Sequence, residues 1–94
     1  MKATIKLVTL TLFTLALPLT AASPDAVALR KSAQTALSSN NFVDAEKDYK
    51  QLTEISADDP DAWHGLANAL DGQGRHKEAD PVYLRAASIY KEQG

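Results

Sequence analysis

The sequence predicts an all-α fold made of two similar, antiparallel helix pairs. Beyond residue 22 the chain is rich in Ala, Leu, Lys, Glu and Gln, and no alternating strand pattern persists. Short polar or proline-containing breaks divide this region into four helices, and the second pair repeats the first after 34 residues. These observations predict an α-α superhelix that follows a separate N-terminal segment.

The first 22 residues have the layout of a secretory signal peptide. Lys2 and Lys6 form a basic start without acids, and the uncharged apolar run LVTLTLFTLALPL occupies residues 7–19. Small residues follow, so we expect cleavage after Ala22. The run is shorter than the roughly 20 residues that a membrane-spanning helix needs. We therefore expect contact with the membrane only during export, with the periplasm as the destination and secretion left open.

The remaining domain, residues 23–94, is acidic and contains no cysteine. Loss of Lys2 and Lys6 with the signal peptide takes the formal charge from −2 to −4, and the remaining basic residues are scattered. Nucleic-acid binding relies on a basic stripe, so this composition argues against it. Because no disulfide can form, packing alone must hold the domain together.

Polar and proline signals delimit the first helix pair. Ser23 can cap a helix that has Pro24 in its first turn, and the polar run SSNN ends that helix. Asn41 can accept a bond from an amide of the next helix, and Asp44 adds negative charge to its first turn. The expected helices span 24–38 and 42–55.

The second helix pair is delimited by the same kinds of residue. Asp59 is the expected cap, Pro60 opens the helix, and the glycines of DGQG end it. Pro81 lies inside the last helix and removes a backbone donor there, so a kink or a late helix start is expected. The expected helices span 60–72 and 76–91.

The two helix pairs match at small and aromatic positions. A shift of 34 residues superimposes Ala33 on Ala67, Ala45 on Ala79, Tyr49 on Tyr83 and Ile55 on Ile89. A period of 34 with paired helices is the spacing of tetratricopeptide repeats. Small side chains at these places let antiparallel helices approach closely.

The second unit resembles the tetratricopeptide repeat in the order of its characteristic residues. These are Trp63, Leu66, Ala67, Leu70, Gly74, Ala79, Tyr83 and Ala86. The first unit is degenerate, because Leu29 replaces the leading tryptophan and Ser32 replaces the apolar residue three positions later. The resemblance places repeat one at about 26–59 and repeat two at about 60–93.

The same stretch offers little for catalysis or ligand chemistry. Gly72 and Gly74 follow a helix and lack the spacing of a phosphate-binding loop, so helix termination explains them. His64 and His76 lie on different helices without a cysteine or a paired histidine. The acids around Pro60 lack a calcium loop and suit helix capping. We expect no metal, no cofactor and no enzymatic activity.

The resemblance implies a protein-interaction module whose concave surface is lined by the first helix of each pair. Asn68 stands where related peptide-binding repeats hold a ligand backbone, and Arg30 can receive a carboxylate through two hydrogen bonds. The predicted contact residues are Arg30, Gln34, Leu37, His64, Asn68 and Asp71. For each of them the alternative is an ordinary solvated position.

A second hypothesis treats the protein as a structural or assembly subunit. Stacked repeats generally need about three units to bury a continuous core, and this chain has two. Its helical ends would then associate with another copy to form a homo-oligomer. Ile89 and Tyr90 are expected on the outer face of the last helix, where such contacts would form.

Overall fold

A computed structural model of the protein describes residues 24–94, which contain four helices and no strand. The helices are α1 (Pro24–Ser38), α2 (Phe42–Ile55), α3 (Pro60–Gly72) and α4 (His76–Gln93). The predicted all-α fold is confirmed, and only α4 differs from expectation, by ending two residues later. The signal peptide expected at 1–22, with its cleavage after Ala22, lies outside the described residues. Within the described part, no helix has the length and apolar character to cross a membrane.

The ends of the helices agree in part with the predicted caps. Asp59 caps α3 as expected, because its side chain accepts a hydrogen bond of 3.0 Å from the Asp61 amide. The expected cap at Asn41 is wrong, since its side chain makes no capping bond. Asn40 and Gly74 have φ of 61° and 78°, the left-handed conformation that reverses the chain after α1 and α3.

Pro81 lies within α4, yet the helix begins at His76 and continues to Gln93. The expected late start is therefore wrong. Pro81 comes just after the first turn, so the missing amide leaves only the carbonyl of Lys77 without its helical partner.

Neighbouring helices are antiparallel and pack in chain order. Helix α1 contacts α2 and α3, α2 contacts α3, and α3 contacts α4. Within residues 24–94, α2 and α4 do not contact each other. Because α1 and α3 meet while α2 and α4 do not, α1 and α3 form the inner side of the array.

The predicted interlock of small residues is present in the core. The side chains of Ala33, Ala45, Ala67 and Ala79 are all inaccessible to solvent. Tyr49 and Leu52 of α2 complete this layer and are buried with them. The small residues let the helices approach closely, so the larger side chains fill the space between them.

Two glycines of α3 permit a still closer approach to α2. A Cβ atom added at Gly65 would lie 2.3 Å from the Tyr49 ring, and one at Gly72 would lie 2.3 Å from the Phe42 ring. Gly72 therefore has a packing role that helix termination does not explain. Gly74, in the left-handed conformation, is the glycine that serves the turn.

Candidate functional site

The inner side of the array carries two parallel lines of side chains. Helices α1 and α3 run in the same direction because each is antiparallel to α2. Positions i, i+3, i+7 and i+10 lie on one face of a helix. The α1 line is Val27, Arg30, Gln34 and Leu37, and the α3 line is Asp61, His64, Asn68 and Asp71. The inner groove is the surface between these lines, and it contains all six predicted contact residues.

Three residues of α4 hold the α3 line in place. They are spaced seven residues apart and form the α4 line, His76, Tyr83 and Tyr90. The Tyr83 hydroxyl lies 2.6 Å from Asn68 Oδ1 and 2.9 Å from Asp71 Oδ2. A hydroxyl has one proton, so it donates to one of these oxygens at a time.

The remaining contacts extend this arrangement along the whole of α3. His76 Nδ1 lies 2.7 Å from Asp71 Oδ1, and the Tyr90 hydroxyl donates to Asp61. The His64 ring packs against the Tyr83 ring with centroids 5.7 Å apart. Every member of the α3 line thus has a partner on α4. These contacts fix the positions of the α3 side chains before any ligand binds. Sequence reasoning missed this role of α4, although the spacing of seven between its ring-bearing residues was a usable signal.

The charges of these groups follow from their hydrogen bonds. The bond from His76, followed by the one from Tyr83, lowers the pKa of Asp71 below its ordinary value. Burial and the nearby Asp71 raise the pKa of Tyr83, while the bond to Asp61 raises that of Tyr90. The lowered pKa of Asp71 and the raised pKa of Tyr83 favour an ionised Asp71 carboxylate beside a protonated phenol at neutral pH.

Arg30 has an internal partner. Its guanidinium forms an ion pair with Asp59, the residue that caps α3. The predicted role of Arg30, reception of a ligand's carboxylate, would therefore require this ion pair to be broken. In the structure the residue instead ties α1 to the start of α3.

The rest of the α1 line is open. The Val27 side chain is 67% exposed, Gln34 is exposed, and Leu37 is half-buried against the core. The groove therefore has an open side of mixed polarity on α1, where Val27 and Leu37 are the apolar residues, and a polar side on α3 whose residues are already held by α4.

The residues expected to serve self-association are placed differently from the prediction. Ile89 is only 2% exposed, so the expectation that it lies on an outer face is wrong: it is buried inside the monomer. Tyr90 is exposed, and its hydroxyl binds Asp61 of the same chain.

A second polar cluster joins α2 to the turn between α3 and α4. The Glu46 carboxylate accepts bonds from Gln73 at 2.9 Å and from Arg75 at 2.8 Å. The Gln73 bond first, and then Arg75, lowers the pKa of Glu46, although partial burial opposes this shift. The cluster fixes the turn and has no role in the groove.

His64 and His76 are the two histidines of the described residues. No group of three or more His, Asp or Glu side chains there is arranged to hold a metal ion. His64 and His76 contact Tyr83 and Asp71 respectively and do not face a common point.

Comparison with known proteins identifies relatives of the chain. Residues 36–93 match the family model described as tetratricopeptide repeat. A TPR repeat-containing protein of Picosynechococcus sp. is 36% identical over 72 residues, which cover 77% of this chain and 18% of that protein. The chain therefore spans less than a fifth of that relative's length. No solved structure matches.

Proposed function

Because the chain belongs to the tetratricopeptide repeat family, we propose that it is an exported interaction module that binds a peptide or protein segment in the inner groove. The family consists of helical interaction scaffolds, which supports a protein partner in general terms. The use of this groove, the export and the nature of the partner are our proposals.

The observation that carries the proposal is the contrast between the two sides of the groove. On α1, Val27 and Leu37 expose apolar surface beside the open amide of Gln34. On α3, Asn68 uses its Oδ1 to accept from Tyr83, which leaves its amide N–H groups for a ligand carbonyl. A preset polar line loses little freedom on binding, and this favours affinity.

The proposed work of the protein is recognition without bond chemistry. The groove would bury part of a peptide and orient it through the amides of Gln34 and Asn68. The proposal assigns no catalytic residue, no metal and no cofactor.

We also propose that residues 1–22 direct export and are then removed. Mass spectrometry of the protein that accumulates in its native cells tests this part directly. We expect a chain that begins at Ser23, and the periplasmic and secreted fractions show where it resides. A chain that retains its N-terminus in the cytoplasm would contradict the export proposal.

Self-association remains the alternative function, and one feature favours it. A shallow hollow lies between α1 and α2, and three of its six lining residues are apolar, Ala28, Leu29 and Ile55. No described helix covers this end of the array. A second copy seated there would make the protein an assembly subunit.

The groove proposal is tested by a matched pair of substitutions. Val27 and Val43 are 67% and 68% exposed, but Val27 lies on the α1 line and Val43 lies on α2, outside the groove. Peptides selected from a random library would be titrated by fluorescence anisotropy against Val27→Asn and Val43→Asn. We expect about five-fold weaker binding for Val27→Asn, because an apolar contact of about 1 kcal/mol is lost.

The control, Val43→Asn, should bind like the unmodified protein. Equal weakening by both substitutions would argue against the groove. Failure of all peptides to bind, together with a mass that rises with protein concentration in sedimentation, would favour the assembly subunit.

A further inference from the structure

We infer that the inner groove binds an extended, basic peptide segment, with one Lys or Arg side chain against Asp61 and a second against Asp71. This inference rests on the proposed function, because it names the class of partner for the same groove. The evidence for it is the distribution of charged and apolar side chains along the α1 line and the α3 line.

The groove has more negative than positive charge. Among the ion pairs of the described residues, none joins Asp61 to a lysine or arginine, and Asp71 pairs only with His76. The one arginine of the groove, Arg30, is matched by Asp59. Asp61 therefore has no lysine or arginine partner among the described residues, and Asp71 would accept an incoming cation in addition to its contacts with His76 and Tyr83.

The tyrosines of α4 position these carboxylates without neutralising them. Tyr90 donates to Asp61, and the Tyr83 hydroxyl lies 2.9 Å from Asp71 Oδ2 and alternates its proton between Asp71 and Asn68. A neutral phenol leaves the negative charge of the carboxylate in place. Each carboxylate still has lone pairs free for a second donor. Two carboxylates held in fixed places attract a cationic partner and repel an acidic one.

The spacing of the two acids sets the spacing of the partner's cations. Asp61 and Asp71 are ten residues apart on one helix, a distance of about 15 Å at 1.5 Å per residue. An extended peptide advances about 3.4 Å per residue, so cations four residues apart span about 14 Å. Alternate side chains of an extended peptide point the same way, so both cations face α3.

An extended partner also fits the polar amides of the groove. Gln34 on α1 and Asn68 on α3 offer donors and acceptors to a peptide backbone. A helical ligand satisfies its own backbone groups and would leave these amides unused. The two side chains next to the cations, at the second and fourth positions, point the opposite way and would face Val27 and Leu37 on α1.

The test compares three short synthetic peptides that differ only in charge. The sequences Lys-Leu-Ala-Leu-Lys, Gln-Leu-Ala-Leu-Gln and Glu-Leu-Ala-Leu-Glu would be flanked by Gly-Ser and carry a fluorophore. Fluorescence anisotropy would measure their binding to the full protein. We expect the lysine peptide to bind most tightly and the glutamate peptide most weakly. We also expect the affinity of the lysine peptide to fall as salt is added.

Two substitutions assign the binding to the predicted carboxylates. Asp61→Asn and Asp71→Asn keep an oxygen for the tyrosine but remove the charge. Each should weaken the lysine peptide about three-fold, and the double variant about ten-fold, as exposed charge pairs do. The matched control is Asp44→Asn, because Asp44 is also an exposed acid in the first turn of a helix but lies outside the groove. It should leave the affinity unchanged.

The outcomes separate this inference from the proposed function. If the glutamine or glutamate peptide binds as tightly as the lysine peptide and is still weakened by Val27→Asn, the groove is used but the basic partner is wrong. If Asp44→Asn weakens the lysine peptide as much as Asp61→Asn does, the attraction is general and the inference fails. If none of the three peptides binds, the inference is overturned; the proposed function fails with it if the library-selected peptides are also insensitive to Val27→Asn. Circular dichroism of each variant confirms that the helices are retained.

Discussion

Replacing Leu52 with alanine is expected to lower the free energy of unfolding by about 3 kcal/mol, as for other fully buried leucines. Leu52 is the largest side chain with no solvent exposure among the described residues. It lies on α2, which packs against both α1 and α3, so the cavity would loosen both contacts. A domain of this size has only a few kcal/mol of stability, so the variant should be largely unfolded at room temperature.

Urea titration followed by circular dichroism measures this effect, and the chain supplies a matched control. Leu84 on α4 is 70% exposed, and Leu84→Ala makes the same chemical change at the surface. The control should alter the free energy of unfolding by less than about 0.5 kcal/mol. Similar values for the two variants would contradict the packing described for α2.

The second large effect is expected at Gly65. Alanine normally stabilises the middle of a helix by about 1 kcal/mol relative to glycine. Here the new methyl group would lie 2.3 Å from ring carbons of Tyr49, and that ring is buried between helices. We therefore expect Gly65→Ala to destabilise the protein by about 2 kcal/mol through overpacking of α2 against α3.

A second-site variant tests the physical cause. In a Tyr49→Leu background the ring is absent, so the clash disappears and Gly65→Ala should become neutral or stabilising. Urea titrations of the four proteins give the coupling energy between the two positions directly. A coupling energy near zero would show that the two residues do not compete for the same space.

The number, order and bounds of the helices could be predicted from the sequence because they depend on local signals. Asp59 followed by Pro60 specifies the start of α3 through its own backbone, and Gly74 specifies the turn after it. The core alanines could be predicted for a related reason: identical small residues recur after 34 positions. The packing of Gly65 was missed because it depends on where Tyr49 of another helix points.

The helix faces on which the candidate residues lie could be predicted from the sequence, but the partners of those residues within the chain could not. Helical periodicity places Arg30 and Asp71 on the inner side, and a resemblance to the family selects the same face. Whether each group is engaged depends on distant residues: Asp59 occupies Arg30, and Tyr83 and His76 hold Asp71. Ile89 was expected on an outer face but is buried, because an apolar residue of the last described helix is needed for the core of the monomer.

The position of α4 has a consequence for the motion of the groove. Among the described helices, α4 contacts only α3, whereas α3 contacts all three others. Elements with few neighbours open most easily, so α4 is the helix expected to separate first in local fluctuations. Its separation would release Asp61 and Asp71 together, at opposite ends of the groove. Occupancy of the groove and closure of α4 are therefore thermodynamically linked, and a bound segment would slow amide hydrogen exchange in a helix that it does not touch.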